Sequence, residues 1–588
     1  MNEVELSPLP LLVLHLRGSQ SEMGRQHGAL LARVGGYDGV TRFYPSMAAR
    51  MLTHGFPHWL RPPSERVARA LLFGMALHMH GHRRTGFAEY VARTEALLAA
   101  GSVPSHMGPS LLVMEVLQNT VGLLSRAGVL PAARFSAVGV PACSSLAVWG
   151  EASSDGALRH ARNFDFPGAG VWDHAPCVVF CDPDEGLRYG FVSTRGADVP
   201  GITAFNEAGL TLTVHTRFHR DIRFDGPAVF DLGHDIARRA SSLGEAVSIA
   251  RRLGSASTWG ILVSSAREKS AVLIETTAKR VAVVEPEPGA AHLSCTNRYL
   301  APELKHGEVS TSEAFVADAN ARRRRLEEAV LEAGGGLDAE GLEALLGDLR
   351  APDARDADDT VPRLSGDCIT SPISVQSIVA EPESERVRVS IGRAPSGFGP
   401  FVPVSWSWQG APRVWSLRGE ELVSHARAHR GRPLRAEERA SARAYAEIAR
   451  LNLEGASPIA LRPRLEALVR TEPREPGFRT LAGLVCVAAS DLEAALSHFE
   501  AALASEHGPR RRGLLLLFKT RVLAALGRVS EATRARDELL AMSDAECAAQ
   551  RSAARREKPR PPSKRALRQV VIDFHLIDGR VPGVDDRA

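Results

Sequence analysis

The chain has no strong charge of either sign, few cysteines and no long hydrophobic run, and each shortage removes a class of function. Its 72 Lys and Arg residues are nearly cancelled by 68 Asp and Glu, leaving +4. Such a balance creates no global field for nucleic acid or a membrane surface, so neither is expected as a partner. Seven cysteines (Cys143, Cys177, Cys181, Cys295, Cys368, Cys486 and Cys547) are an odd number spread over 588 residues. They are too sparse for a disulfide framework and suit a reducing cytoplasm. The longest apolar runs, such as GLLLLF at 513–518, fall far short of the roughly 20 residues that span a bilayer. The opening MNEVELSPLPLLVLHLRGS carries acids where a secretory signal needs a basic region, so no export signal is expected. Neither GxxxxGK[ST] nor a strand-linked GxGxxG occurs, which leaves nucleotide hydrolysis and dinucleotide chemistry unsupported. Cys177 and Cys181 lie four apart without the His or second Cys pair of a zinc site, and neither a metal nor a cofactor is expected.

What the sequence does contain is a change of texture along its length. Residues 10–17 read as a strand, followed by a helix in which Met23, His27, Leu30 and Leu31 recur at helical spacing. Helical segments are expected near 64–80, 87–100 and 109–127. From Cys143 onward the runs CSSLAVWG, CVVFC, YGFVST, LTLTVHT, WGILVSS and AVLIETT are short, apolar or β-branched, and bounded by turn residues, which predicts strands. Helices are expected at 230–253, 311–333 and 338–349, before strands return at IVAEP and VRVSIGR. This order predicts an α+β domain with helices packed on stacked sheets. Beyond about residue 415 the pattern is helical only. Gly483, Leu492, Ala495, Phe499 and Ala502 fall at offsets of the tetratricopeptide repeat of about 34 residues, against the alternative of a generic helical bundle. The division expected is 1–142 (helical N-terminal part), 143–415 (sheet-rich part), 416–548 (tetratricopeptide-like helices) and 549–588 (basic linker and tail). RSAARREKPRPPSKRALR at 551–568 reads as the linker, and VVIDFHLIDG as a segment that docks back.

One cysteine has a chemistry-bearing context. Cys143 follows a small residue at the head of an apolar strand, and Arg162-Asn163-Phe164-Asp165 comes nineteen positions later. The thiolate is the nucleophilic form of cysteine, and a thiol near pKa 8.5 needs a base to reach it. If the Ala142–Cys143 bond is cut, the new α-amino group, with a pKa of about 7.7 to 8.0, is such a base on the same residue.

These residues belong to a collinear set: GSQSEMGRQHG at 18–28, ACSSLAVWG at 142–150, RNFDF at 162–166, FNEAGLTLTVH at 205–215, CTNRYL at 295–300 and DCITSPISVQSIVAEPESERVRVSIGRAP at 367–395. Together they resemble the penicillin acyltransferase type of N-terminal nucleophile hydrolases, relatives of the choloylglycine hydrolases. The resemblance covers about residues 10–400. It implies an αββα sandwich and cleavage of a linear amide or thioester bond through an acyl-Cys143 intermediate, activated by autocleavage after Ala142. It further implies that Asp165 holds the freed amine, that Arg162 orients the thiolate, and that Asn206 and Asn297 supply amide donors to the oxyanion. Asn206 in NEAG is also a natural turn residue. The substrate expected is a small-molecule amide or acyl thioester, with a protein partner as the role left for the C-terminal helices. The sequence departs from the family in having Ala142 and Ser144 where Gly and Thr are usual, and Arg298 where His is common.

The alternatives are a degenerate catalytic domain serving as an interaction scaffold, and an uncleaved hydrolase whose cysteine borrows a side-chain base. His160, His215 and His219 are the histidines such a base would come from. The loop RFHRDIRFDG at 217–226 offers Arg217, Arg220 and Arg223 for a substrate anion, against a solvated hairpin tip.

Overall fold

The computed structural model describes residues 11–34, 37–54, 61–128, 140–195, 197–349, 364, 366–410, 413–415, 434–558 and 560–585. The chain opens with β1 (Leu11–Gly18), α1 (Gln20–Val34), α2 (Tyr37–Thr53), α3 (Arg61–Gly86), α4 (Ala88–Ala100) and α5 (Val113–Arg126). The sheet-rich part begins with β2 (Ala142–Gly150), β3 (Gly156–Asp165), β4 (Pro176–Pro183), β5 (Tyr189–Thr194), β6 (Thr203–Asn206) and β7 (Leu210–Thr216). After α6 (Val229–Arg239) and α7 (Leu243–Leu253) come β8 (Trp259–Ser265), β9 (Ser270–Thr276), β10 (Val281–Val284) and β11 (His292–Cys295). It closes with α8 (Pro302–Lys305), α9 (Glu313–Ala333), α10 (Ala339–Leu346), β12 (Ser374–Glu381), β13 (Arg386–Ser390), β14 (Phe401–Ser405) and β15 (Arg413–Trp415).

The strands form a nine-stranded sheet, β10-β9-β8-β7-β6-β5-β4-β1-β15, and a six-stranded sheet, β11-β2-β3-β12-β13-β14. Every pairing in them is antiparallel except β1 with β4. The two sheets face each other. Val13, Val178, Phe180 and Phe205 of the larger pack against Ile378, Val387 and Val402 of the smaller. At the other end, Ala147 and Leu158 meet Leu262 and Leu273. Strands buried on both faces read as nearly continuous apolar runs rather than alternating ones, and that is the texture at CVVFC and WGILVSS. α6 and α7 cover the outer face of the larger sheet through Leu232, Ile236, Ala246 and Ile249. α9 and α10 cover that of the smaller through Leu326, Val330, Leu342 and Leu345.

The expected helix at 230–253 is two helices, because Ser242 is extended and its side chain caps α7 by accepting from the Glu245 amide. The other helices of the first part lie close to where periodicity placed them. None of the described helices is long and apolar enough to cross a membrane.

The C-terminal part runs α11 (Ala436–Leu453), α12 (Pro458–Thr471), α13 (Pro476–Ala488), α14 (Leu492–Leu503), α15 (Pro509–Ala525), α16 (Val529–Ala541), α17 (Ala548–Glu557) and α18 (Lys564–Leu567). A hairpin follows, β16 (Val571–Asp573) and β17 (Asp578–Arg580). Gly483 is where α13 and α14 approach closely; a Cβ there would come within 2.4 Å of the Phe499 ring. The boundary expected after residue 415 adjoins 416–433, outside the described residues. The linker expected at 551–568 is a correction: most of it is helical, with Ala553, Ala554 and Leu567 buried. These small and apolar residues, diluted among arginines, escape a compositional reading.

Two buried ion pairs fasten the N-terminal helices to the sheet-rich part. Arg93 of α4 is bidentate to Asp198, at 2.7 and 2.9 Å, and Arg83 of α3 is bidentate to Asp231 of α6, at 2.6 and 2.7 Å. Removing one partner leaves an uncompensated charge in the interior. Asp198→Ala is therefore expected to lose about 3–5 kcal/mol of stability, measured by chemical denaturation.

Candidate active site

Cys143 is the second residue of β2 and is 1% exposed. The β2–β3 register sets it opposite Phe164, with Ala142 opposite Asp165 and Ser145 opposite Arg162. The antiparallel pairing thus brings RNFD back beside the cysteine. Side chains of α2, α3 and α5 close the region: Met47, Met79, Val113 and Val116 share one apolar cluster with Cys143 and Phe164.

The arginine is held through its two Nη atoms, while its buried Nε has no partner among the described residues. Arg162 is fully buried; Nη1 donates to the Ile202 carbonyl at 2.6 Å and to Thr203 Oγ1, and Nη2 to the Val214 carbonyl at 2.7 Å. Nη2 also lies 3.9 Å from the Cys143 sulfur, and the guanidinium rests 4.6 Å from the centre of the Phe164 ring. Burial pushes the Cys143 thiol above its ordinary value, and the Arg162 charge offsets this only in part. The sulfur therefore needs a group that takes its proton as it attacks.

The side chain of Asn297 meets the other end of the residue. Its Oδ1 accepts from the Cys143 backbone nitrogen at 2.7 Å and from Arg322 at 3.0 Å. Its Nδ2 donates to the Thr216 carbonyl at 3.2 Å. Asn297 thus reaches the site, but it faces the nitrogen of Cys143 with its acceptor, and its donor is engaged elsewhere. This corrects the expected oxyanion role.

Asp165 is fully buried. Its Oδ1 accepts from Ser374 at 2.5 Å, and its Oδ2 has no partner among the described residues. Burial raises its carboxyl to about 7, against the pull of Arg322 and Ser374. Asn206 is not brought into this cluster. Its amide donates to the Ala237 and Ala240 carbonyls at 2.9 and 2.8 Å, and its oxygen accepts from the Ala208 and Leu210 amides, both at 3.1 Å. These bonds close the NEAG turn and tie it to the end of α6, leaving no donor for an oxyanion.

Arg322 was missed by sequence reasoning. It donates to the Cys143 carbonyl at 2.7 Å, to Ser144 Oγ at 2.9 Å and to Asp318 at 2.9 Å. It stands in the run ARRRR at 321–325, where nothing distinguishes one arginine from the next except an aspartate one helical turn earlier. The histidines considered as bases serve other partners. His160 is bonded to Ser264 at 2.9 Å and Thr213 at 3.0 Å, burial holds it neutral at about 3, and His215 contacts Thr213 at 3.4 Å. Arg217 is no hairpin tip: it is fully buried, donating to the Thr296 carbonyl and lying 3.5 Å from Glu275. Cys181 packs under the Arg93 guanidinium at 3.8 Å. The group of potential metal ligands among the described residues is remote, in the C-terminal helices: Glu466, Cys486 and His498. There Arg462 already pairs with Glu466 at 3.5 Å.

An apolar cavity lined by Tyr44, Met114, Phe164, Phe166, Trp172 and Trp259 reaches the region of the cysteine through Phe164, the residue opposite Cys143 on β3. A second hollow shares Met114, Phe166, Thr216 and Trp259 with it and is bounded by Val140 and Pro141, the residues that lead into Cys143. Glu115 also lines the first cavity; burial raises its carboxyl to about 8, opposed by bonds from the Val229 amide and Trp259.

The arrangement is that of a mixed α/β protein with a buried thiol at a strand start, between a guanidinium and a polar group at its own nitrogen. Residues 153–348 match the family described as acyl-coenzyme A:6-aminopenicillanic acid acyl-transferase. This agrees with the penicillin acyltransferase resemblance and points to acyltransferase or amidohydrolase activity in general. The match takes in Arg162, Asp165, Asn297 and Arg322 and begins ten residues after Cys143. No curated protein matches the chain.

The raised carboxyl has a consequence for stability. The folded-state value of Asp165 lies above the 3.8 of an unperturbed carboxyl. Its contribution to stability is therefore full below about pH 4 and is lost as pH rises through about 7. Asp165→Asn, which keeps the acceptor for Ser374, is expected to be more stable than wild type by about 2 kcal/mol or more at pH 8.5. The gain should shrink toward pH 4, as read by denaturation at both values.

Proposed function

We propose that the protein is a cysteine N-terminal nucleophile amidohydrolase or acyltransferase of αββα architecture, which cuts its own chain between Ala142 and Cys143. The observation that carries the reading is the 2.7 Å bond from the Cys143 nitrogen to Asn297 Oδ1, beside a thiol whose side-chain partner among the described residues is Arg162. No described histidine bonds the sulfur, so the base in reach is the amine that the cut would create. Asn297 already holds that nitrogen.

In the first reaction the Cys143 sulfur adds to the Ala142 carbonyl carbon, the C–N bond breaks, and the thiol proton passes to the α-nitrogen. Water then hydrolyses the thioester, leaving a carboxylate on Ala142 and a free thiol and amine on Cys143. In each later turnover the amine takes the thiol proton while sulfur attacks the acyl carbon of the substrate. That proton goes on to the leaving amine or thiol, and the acyl group leaves Cys143 to water or to a second amine. Arg162 supports the thiolate by its charge. The unpartnered oxygen of Asp165 is suited to receive an N–H of the ammonium form, and Arg322 anchors the Cys143 carbonyl and Asn297 together. The aromatic and methionine lining of the neighbouring cavity suits an apolar acyl group. Loss of the Val140–Ala142 segment from beside it would enlarge the room for substrate.

Two measurements test this. Intact mass should show fragments of 142 and 446 residues that stay together in the native state, and Cys143→Ala should give a single full-length chain. An uncut wild-type chain that is still active would assign the base to a side chain instead. Among acetyl, butyryl and phenylacetyl 4-nitroanilides and thioesters, the larger apolar acyl groups should be the better substrates. Asn297→Ala, which releases the nitrogen of Cys143 from its acceptor, should lower kcat by about 10²-fold through misplacement of that group.

A further inference from the structure

The C-terminal tail is built into the candidate site. The tip of the β16–β17 hairpin is buried: Phe574 is 1% and Leu576 3% exposed, and Leu576 belongs to the same apolar cluster as Cys143 and Phe164. The helical part grips this tip by its backbone, with Tyr445 Oη donating to the Phe574 carbonyl and Arg510 to the Leu576 carbonyl at 3.2 Å. Asp573 fixes the turn by accepting from the His575 and Leu576 amides at 2.8 and 3.0 Å. His575, between them, is 3% exposed and bonds Ser371 Oγ through Nε2 at 2.8 Å.

Ser371 is one step from the catalytic carboxylate. Its backbone amide donates to Ser374 Oγ at 2.9 Å, and Ser374 Oγ donates to Asp165 Oδ1. The same loop is locked to β3 by the Phe166 amide, which donates to the Ile373 carbonyl at 2.9 Å. A chain of contacts therefore runs from His575 in the tail through Ser371 and Ser374 to Asp165.

We propose that His575 is a positioning residue for the Cys143 site, holding the Ser371–Ser374 turn so that Ser374 presents its hydroxyl to Asp165. The inference rests on the reading of Asp165 as part of that site. Either tautomer of the imidazole maintains the contact with Ser371, and burial beside Arg322 keeps the ring neutral. The tail and the helices that hold it then form a working component of the first part of the chain: without them the Asp165 carboxylate loses its ordered donor.

The test uses the full-length chain and hydrogen–deuterium exchange read by mass spectrometry, which needs no substrate. His575→Leu and Ser371→Ala should speed exchange in the peptides spanning 369–376 and 162–168, and His575→Gln, which can place an amide where Nε2 lies, should restore protection. Should the wild type turn over the 4-nitroanilides, kcat of His575→Leu falls about 10- to 100-fold with KM within about twofold, and His575→Gln recovers most of it. Unchanged exchange at 162–168 in both His575→Leu and Ser371→Ala would overturn the proposal whether or not any substrate is cleaved. So would a glutamine variant as loosened as the leucine one, since the side chain would then act by packing alone. Ser371→Ala leaves the tail intact and decides the matter if His575→Leu fails to fold. Failure of the catalytic reading would show separately, as an active Cys143→Ala protein.

Discussion

A guanidinium buried without a bound carboxylate is the constraint around which the site is organised. Arg162 spends its Nη hydrogens on two carbonyls and a hydroxyl on the facing side, at Ile202, Val214 and Thr203. Each of these bonds must form, because an unpaired buried cation is far costlier than a neutral donor. They fix β3 against β6 and β7, and the β2–β3 register then fixes Cys143. The position of Cys143 thus follows from satisfying a charge that the fold has buried.

The second constraint is the nitrogen of Cys143. In an ordinary strand that amide would be spent on a neighbouring strand; here it is turned to a side chain, Asn297, which Arg322 holds in turn. This matters for chemistry because the thiol is pushed up by burial and cannot ionise unaided. Asp165 is perturbed as well, with a carboxyl raised by burial and one oxygen lacking a partner among the described residues. Burial thus displaces the titration of two neighbouring groups, and such clusters are where a functional site is sought.

The strands and most helices were legible because two-sided burial and helical periodicity both leave apolar runs in the sequence. The proximity of Cys143, Arg162 and Asp165 was legible because they lie close in sequence and the β2–β3 hairpin folds them together. What escaped came from far away. Arg322 hides in a run of arginines, and Ser371 and Ser374 look like loop residues. His575 lies more than four hundred residues from the cysteine, in a tail with no local signal of its destination. Asn206 shows the reverse error: an asparagine in a turn motif did what turn asparagines do, closing the turn with its own oxygen. The linker expected at 551–568 failed because composition registers charge but not the buried alanines between the arginines.

The central claim is that the Cys143 sulfur carries the acyl group, and the most direct measurement is to trap it there. Acid quenching during turnover of a phenylacetyl thioester, followed by peptide mapping, should find the phenylacetyl mass on the peptide that begins at Cys143 and on none of the other six cysteines. Turnover with no adduct at Cys143, or with the acyl group on another residue, would contradict the account.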